Sequence, residues 1–260
     1  MPMLTWLDET TPLPPTSRAL GPGSEAPGLV AAGGGIGPAR LEEAYRKGMF
    51  PWYSAGQPVL WWSPDPRMVL PVAEFRLARS LKKTLTRFLR TPGCALRIDS
   101  ALPRVIAACA LTPRPGQEGT WIVPALMDAY TRWHRAGRVH SVETWIDGEL
   151  VGGLYFVAIG RMVFGESMFA RRTDASKIAL AALVAHCRRA GIELIDCQQH
   201  TRHLASLGAR EIPRARFEAH LARVLPATPE PVWTYDESAW RTLGVAPAAR
   251  SPAPAEPQPT

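Results

Sequence analysis

A strand–helix–strand alternation beginning near Thr120 constrains this chain more than any other feature. Pro124–Ala136 has helical periodicity and is closed by Gly137, the residue type that most easily takes the left-handed C-cap. His140–Ile146, Leu150–Ile159 and Arg161–Ser167 then read as strands, with Asp147-Gly148 and Gly160 as hairpin turns. Asp174 or Ser176 caps the next helix, which runs through Arg189 and is stopped by Gly191. Leu194–Cys197 is a short buried strand, followed by helices around Arg202–Leu207 and Pro213–Leu225. Strands interleaved with helices bury a sheet between helical layers, so the fold class is α/β (α+β). At 260 residues the chain can fill one large domain or two unequal ones.

Upstream the pattern is less regular. Residues 1–40 are rich in Pro and Gly and end in AAGGGIGP at Ala31–Pro38. No G-K-[ST] follows these glycines, so they read as a turn into a helix over Ala39–Lys47 and not as a phosphate cradle. Gly48–Pro71 sets Phe50, Trp52, Tyr53 and the Trp61-Trp62 pair between prolines, which is the pattern of a rigid loop-and-strand structure. Phe75–Arg90 reads as an amphipathic helix. Leu77, Leu81, Leu85 and Phe88 mark one face; Arg76, Arg79, Lys83, Arg87 and Arg90 mark the other. The run holds no acidic residue, which suits contact with a phosphate backbone as well as simple solvation.

The formal charge of +7 favours an anionic partner, nucleic acid or an acidic membrane surface, although an arginine-biased composition explains the same balance. Cys94, Cys109, Cys187 and Cys197 lack C-x-x-C spacing, which fits a reduced cytoplasm. No basic-then-apolar leader is visible at the start, and the longest apolar run, Ile178–Ala185, is too short to span a bilayer.

Three short runs hold the candidate chemistry. Strand residues two apart point the same way, so Asp196 and Gln198 are expected on one face with Cys197 on the other. There the carboxylate can orient the amide, or both can cap a neighbouring loop. Glu166, between Gly165 and Ser167 at a strand end, can receive a cationic substrate or pair internally with an arginine. Ser167 lacks the second glycine of G-x-S-x-G and is no nucleophile-elbow serine. Cys197 reads as a buried structural thiol in preference to a nucleophile with His200 or His203 as base. The histidines show no zinc-ligand spacing, so no metal is expected.

Taken in order, FPWYS, LWWSPDPRMVL, GTWI, HSVETW, LVGGLY, FGESMF, DASK, LIDCQ and HLASLGA resemble the bacterial leucyl/phenylalanyl-tRNA–protein transferase family over roughly Gly28–Phe217. The resemblance implies a small N-terminal domain, set at residues 1–66, and a transferase domain over 67–238. The latter is similar to the GNAT acyltransferases, with a mixed sheet flanked by helices. Residues 239–260 are then a Pro/Ala-rich tail, expected to be disordered.

The activity implied is movement of Leu or Phe from aminoacyl-tRNA onto the α-amino group of proteins beginning with Arg or Lys, which marks them for N-degron degradation. No cofactor is implied, and a cytoplasmic monomer is expected. Carried over by motif, Asp196 and Gln198 are the catalytic pair, Glu166 recognises the basic N-terminal residue, and Trp52 and Trp121 hold the 3′ adenosine. Leu154, Val163 and Leu183 stand at the acyl side-chain pocket where family members carry bulkier Met or Phe, so the preference among Leu, Phe and Met stays open. Arg76, Arg79, Lys82, Lys83, Arg87 and Arg90 are the tRNA-binding cations.

A CoA-dependent acetyltransferase is the rival enzyme, but its [QR]-x-x-G-x-[GA] loop is replaced by RRTDAS at Arg171–Ser176. Asp174 takes the glycine slot there and repels phosphate. A non-catalytic RNA-binding module would leave Glu166 and the Asp-x-Gln strand unused.

Overall fold

Alternation along Glu149–Ile159 shows how the pattern becomes layers. Tyr155, Val157 and Ile159 join a core on one side of the sheet, whereas Leu154, Phe156 and Ala158 join a second core on the other. A strand with both faces covered is apolar throughout, and each fully buried large side chain contributes about 1.5–3 kcal/mol. In the computed structural model, which describes residues 4–112, 120–227 and 230–246, the strands form two sheets.

The first sheet contains β1 (Thr5–Leu7), β2 (Leu29–Gly33), β3 (Phe50–Pro51) and β4 (Leu60–Trp62), in the order β1-β2-β4-β3. Helix α1 (Pro38–Arg46) joins β2 to β3 and buries Leu41, Ala44 and Tyr45. Its first residue is a proline, whose missing N–H costs nothing in a first turn. The second sheet begins five residues after Trp62, at Arg67. It contains β5 (Arg67–Pro71), β6 (Cys94–Ile98), β7 (Val139–Ile146), β8 (Glu149–Ile159), β9 (Met162–Ala170), β10 (Leu194–Gln198) and β11 (Arg210–Ile212). Their order is β11-β5-β10-β9-β8-β7-β6, and each neighbouring pair is antiparallel except β9–β10. The β7–β8 turn uses Asp147 and Gly148 at φ 49° and 78°, the twist a tight hairpin needs.

Helices α2 (Arg79–Arg90) and α5 (Ala175–Ala190) cover one face; α3 (Leu102–Ala110), α4 (Pro124–Arg135) and α7 (Arg214–Val224), with α1, cover the other. The short α6 (Arg202–Ser206) lies between β10 and β11. The sheet is therefore mixed and flanked by helices, as the sequence pattern and the resemblance both require.

Several expectations need correction. The basic helix starts at Arg79, not Phe75: Phe75 is buried, and the Arg76 N–H is held by the Leu207 carbonyl at 2.8 Å. Asp174 stands at the start of α5 in the left-handed region at φ 63° and makes no side-chain cap; its carboxylate takes Lys177 instead, at 2.9 Å. Residues 239–246, assigned to the tail, are structured. A 3-10 helix over Glu237–Leu243 packs on α5 and buries Trp240, and Val245 just beyond it is buried as well. Two apolar anchors were hidden by the Pro/Ala-rich flank. The rest of that tail lies outside the described residues.

Candidate active site

The parallel pair β9–β10 opens into a cavity. Ile195 pairs with Val163 and Asp196 with Phe164, and there the ladder ends, while β9 stays paired to β8 as far as Ala170. A β-bulge against β5 falls at the point where the strands part. Asp196 faces Val69 and Gln198 faces Met68, so Cys197 is an extra residue, and Gln198 turns to φ 62°. Strict alternation along β10, the expected basis for placing Asp196 and Gln198 side by side, therefore fails at Cys197. The two residues are linked another way: the Gln198 backbone N–H donates to Asp196 Oδ1 at 2.9 Å.

The Gln198 side chain reaches across the opening, and its Nε2 donates to Glu166 Oε1 at 3.1 Å. Among the described residues no hydrogen bond reaches its Oε1. An amide carbonyl is thus held at a cavity wall with its orientation fixed by the neighbouring acid, because Glu166 Oε1 already accepts from Tyr45 and only the N–H₂ end can donate to it.

Glu166 is 9% exposed and has two further partners from distant parts of the chain. Tyr45 of α1 donates to Oε1 at 2.7 Å, the Tyr130 hydroxyl of α4 lies 3.0 Å from Oε2, and the two phenol oxygens lie 2.6 Å apart. Two hydroxyl protons cannot fill three contacts. A proton on the carboxyl completes the ring, from Glu166 to Tyr130 to Tyr45 and back. Burial favours the same state, pushing Glu166 up to about 7 against the opposing bonds from Tyr45, Tyr130 and Gln198.

Asp196 is fully buried and paired with Arg67, Nε to Oδ1 at 2.8 Å and Nη2 to Oδ2 at 2.6 Å. Arg67, Tyr45 and Tyr130 were not singled out by the sequence reading. Arg67 sits in the SPDPR run and the tyrosines on helices, where neither spacing nor charge marks them.

The cavity, about 570 Å³, has Trp52 and Trp121 on its wall, both half-buried. Trp52 packs edge-on to Trp62 at 5.5 Å, and the Trp62 Nε1–H holds the Trp52 carbonyl at 2.7 Å. Leu154 and Leu183 line the apolar part together with Met168, Leu180, Ile195 and Leu204. Val163, expected there, does not line it; paired with Ile195 before the strands part, it is buried in the α5-side core. Cys197 borders the cavity half-buried, and desolvation pushes its thiol far above the ordinary range, which disfavours the thiolate a nucleophile needs.

The expected cations stand apart from this cavity. Arg79, Lys82, Lys83, Arg87 and Arg90 line a separate groove on α2, all exposed, with Arg76 exposed just before the helix. No ion pair engages any of the six among the described residues. Asp99, His134 and His140 are the one group with three possible metal ligands close together among the described residues. Three of its four ring nitrogens are already hydrogen-bonded: His140 Nδ1 to Asp99 at 2.7 Å, His140 Nε2 to the Gly137 carbonyl at 3.1 Å, and His134 Nδ1 to the Val139 carbonyl at 2.7 Å. No described helix is long and apolar enough to cross a membrane.

Comparison with known proteins bears on this geometry. The leucyl/phenylalanyl-tRNA protein transferase family model matches residues 69–222, and the model of that family's N-terminal domain matches residues 34–65. A protein named leucyl/phenylalanyl-tRNA–protein transferase from Methylibium petroleiphilum is 65% identical over 242 residues, 93% of this chain and 91% of its own. Proteins of the same name from Leptothrix cholodnii and Burkholderia vietnamiensis are 65% and 58% identical, each over 93% of this chain and 96% and 94% of their own. A solved GCN5-related N-acetyltransferase from Kribbella flavida aligns over 67% of this chain and 60% of its own, at 12% identity and a TM-score of 0.31, too low to carry an argument. With both of its parts matched in order by one family's models, and near full-length relatives at 58–65% identity, this chain belongs to the leucyl/phenylalanyl-tRNA–protein transferase family of aminoacyltransferases.

Proposed function

We propose that this protein moves a leucyl or phenylalanyl group from aminoacyl-tRNA onto the α-amino group of proteins that begin with Arg or Lys, and so marks them for N-degron degradation. It acts in the cytoplasm as a monomer. The observation that carries the reading is Gln198: its Nε2 is tied to Glu166, and its Oε1 is left to accept an N–H from an incoming amine.

The acyl group arrives as an activated ester, so the enzyme supplies neither nucleophile nor ATP; positioning two substrates is its main contribution. An α-amine ionises near 7.7–8.0, so a sizeable neutral fraction exists at about neutral pH without a strong base. Gln198 aligns that amine, and Asp196 fixes Gln198 through its backbone N–H. Trp52 and Trp121 stack the unpaired 3′ adenosine, an interaction of about 1–3 kcal/mol per base. Leu154, Leu183 and the aliphatic side chains beside them receive the acyl side chain. The α2 cations hold tRNA phosphates with little regard to sequence.

Glu166 is proposed to recognise the acceptor's basic residue under a constraint. Oε1 already takes two donors and Oε2 is bonded to Tyr130, so a substrate cation meets Glu166 only at the remaining Oε2 lone pair, once the carboxyl has given up its proton. Glu166→Gln separates the two tasks open to it. Loss of recognition raises KM for Arg- and Lys-initiated peptides, whereas loss of Gln198 orientation lowers kcat.

The transfer itself is tested by incubating the protein with an Arg-initiated peptide and either radiolabelled leucyl-tRNA or labelled acetyl-CoA. Label in the peptide from leucyl-tRNA alone is the expected result. Label from acetyl-CoA would make the protein an acetyltransferase, and label from neither would return it to RNA binding.

A further inference from the structure

We propose that Arg67 is a positioning residue for acyl transfer, acting through Asp196 on the backbone of Gln198; this rests on the reading of Gln198 as the group that meets the amine. Arg67 is fully buried at the start of β5, and three separate parts of the chain fix its guanidinium: Gly48–Phe50, Phe217 and Asp196. Phe50 stacks on it at 4.8 Å, Phe217 of α7 at 4.6 Å, and the Gly48 carbonyl accepts from Nη1 at 3.2 Å. The remaining edge of the fork holds both oxygens of Asp196, at 2.8 and 2.6 Å. Only a planar fork fills this slot; a lysine offers one point charge and no stacking plane.

What Asp196 gains from this pairing is direction. Oδ1 takes Arg67 Nε and the Gln198 N–H together, while Oδ2 takes Nη2. The Gln198 N–H bond closes the bulge and holds Gln198 at φ 62°, a region that side chains other than glycine rarely enter without an external hold. An extended Gln198 would turn its side chain away from Glu166 and the 3.1 Å contact would be lost. Arg67 therefore sets Asp196, Asp196 sets the backbone kink, and the kink aims the amide at the amine. Asp196 serves this chain as an acceptor of fixed direction, and its negative charge is a means of holding Arg67.

Geometry outweighs charge in this pair, and three variants test it by rescue: Arg67→Met, Asp196→Asn and the double variant. All are assayed in single turnovers with leucyl-tRNA and an Arg-initiated peptide. Arg67→Met should lower kcat about 100-fold with both KM values changed less than about twofold, since displacement of a positioning group by about 1 Å costs that much. The double variant removes both buried charges but keeps a carboxamide oxygen for the Gln198 N–H. It should fold at least as well as either single variant, which each bury one unpaired group. We expect it to regain about tenfold or more over Arg67→Met, with the pH midpoint of kcat unchanged.

A double variant no faster than Arg67→Met, or an effect on KM alone, overturns the proposal. Gln198→Ala in the same assay separates the two layers of inference. If it keeps the wild-type kcat, the reading of Gln198 fails. If it is slow while Arg67→Met is fast, only the role of Arg67 fails.

Discussion

Two charged regions of this molecule obey opposite rules. Around the cavity, Arg67, Asp196 and Glu166 are buried, and each ionisable group has fixed partners. On α2, Arg79, Lys82, Lys83, Arg87 and Arg90 are exposed, with no ion pair among the described residues. Burial makes an unpaired charge costly, so the cavity residues specify one another's orientation and act as a unit. Exposure makes each α2 charge cheap, screened and nearly independent, which suits a ligand whose phosphates repeat. The contrast predicts that substitutions in the cavity are few, large and coupled, and that those on α2 are small and additive.

Asp196→Ala is the most severe way to test the first half. It removes the acceptor of the Gln198 N–H and leaves the Arg67 guanidinium buried without its carboxylate. Single-turnover kcat should fall at least about 100-fold, and chemical denaturation should report a loss of about 3–5 kcal/mol. Full transfer rate in a folded Asp196→Ala variant would break the comparison at its strongest point.

Glu166 gives a second, somewhat smaller effect through pH. Its ordinary value is 4.5 and its folded value about 7, so between those limits the folded chain holds a proton that the unfolded chain has released. Stability from this group is therefore greatest below pH 4.5 and declines as pH rises toward 7, by about 3 kcal/mol in all. Glu166→Gln, which cannot ionise, should remove that decline. Tm of the variant relative to the wild type should rise between pH 5 and pH 8. A difference that does not change with pH would mean that the carboxyl is ionised throughout and that the tyrosine ring lacks its third proton.

How far each region could be read from sequence follows the same division. Amphipathic spacing over Leu81, Leu85 and Phe88, with cations between, disclosed the α2 ridge because both signals are local. The start of the helix is not local, since Phe75 is buried and the Arg76 N–H is held by Leu207 far along the chain. The strands from β7 to β10 are legible from apolar runs and turn residues, and so are the three runs around Glu166, Asp174 and Gln198. Their partners are not. Tyr45 lies 121 residues from Glu166 and Arg67 lies 129 from Asp196, and no periodicity reports a contact at that range. The bulge at Cys197 was hidden for the same reason: alternation is a rule for regular strands, and the parting of β10 from β9 breaks it.

The smallest predicted effects decide whether α2 behaves as the additive half of the contrast. Neutralising any one of Arg79, Lys82, Lys83, Arg87 or Arg90 should weaken aminoacyl-tRNA binding by no more than about fivefold, the range of an exposed charge pair, while single-turnover kcat at saturating tRNA stays at the wild-type value. Charge reversal at Lys82, Lys83 and Arg87 together removes three phosphate contacts, so the slope of log K against log salt should flatten by about 2–3. Additivity follows from physical separation by solvent: each cation releases its own counterions, and none holds another in place. If one α2 substitution lowered kcat as Asp196→Ala does, that residue would be acting on the cavity. The line drawn between a coupled interior and an additive surface would then have to be moved to include it.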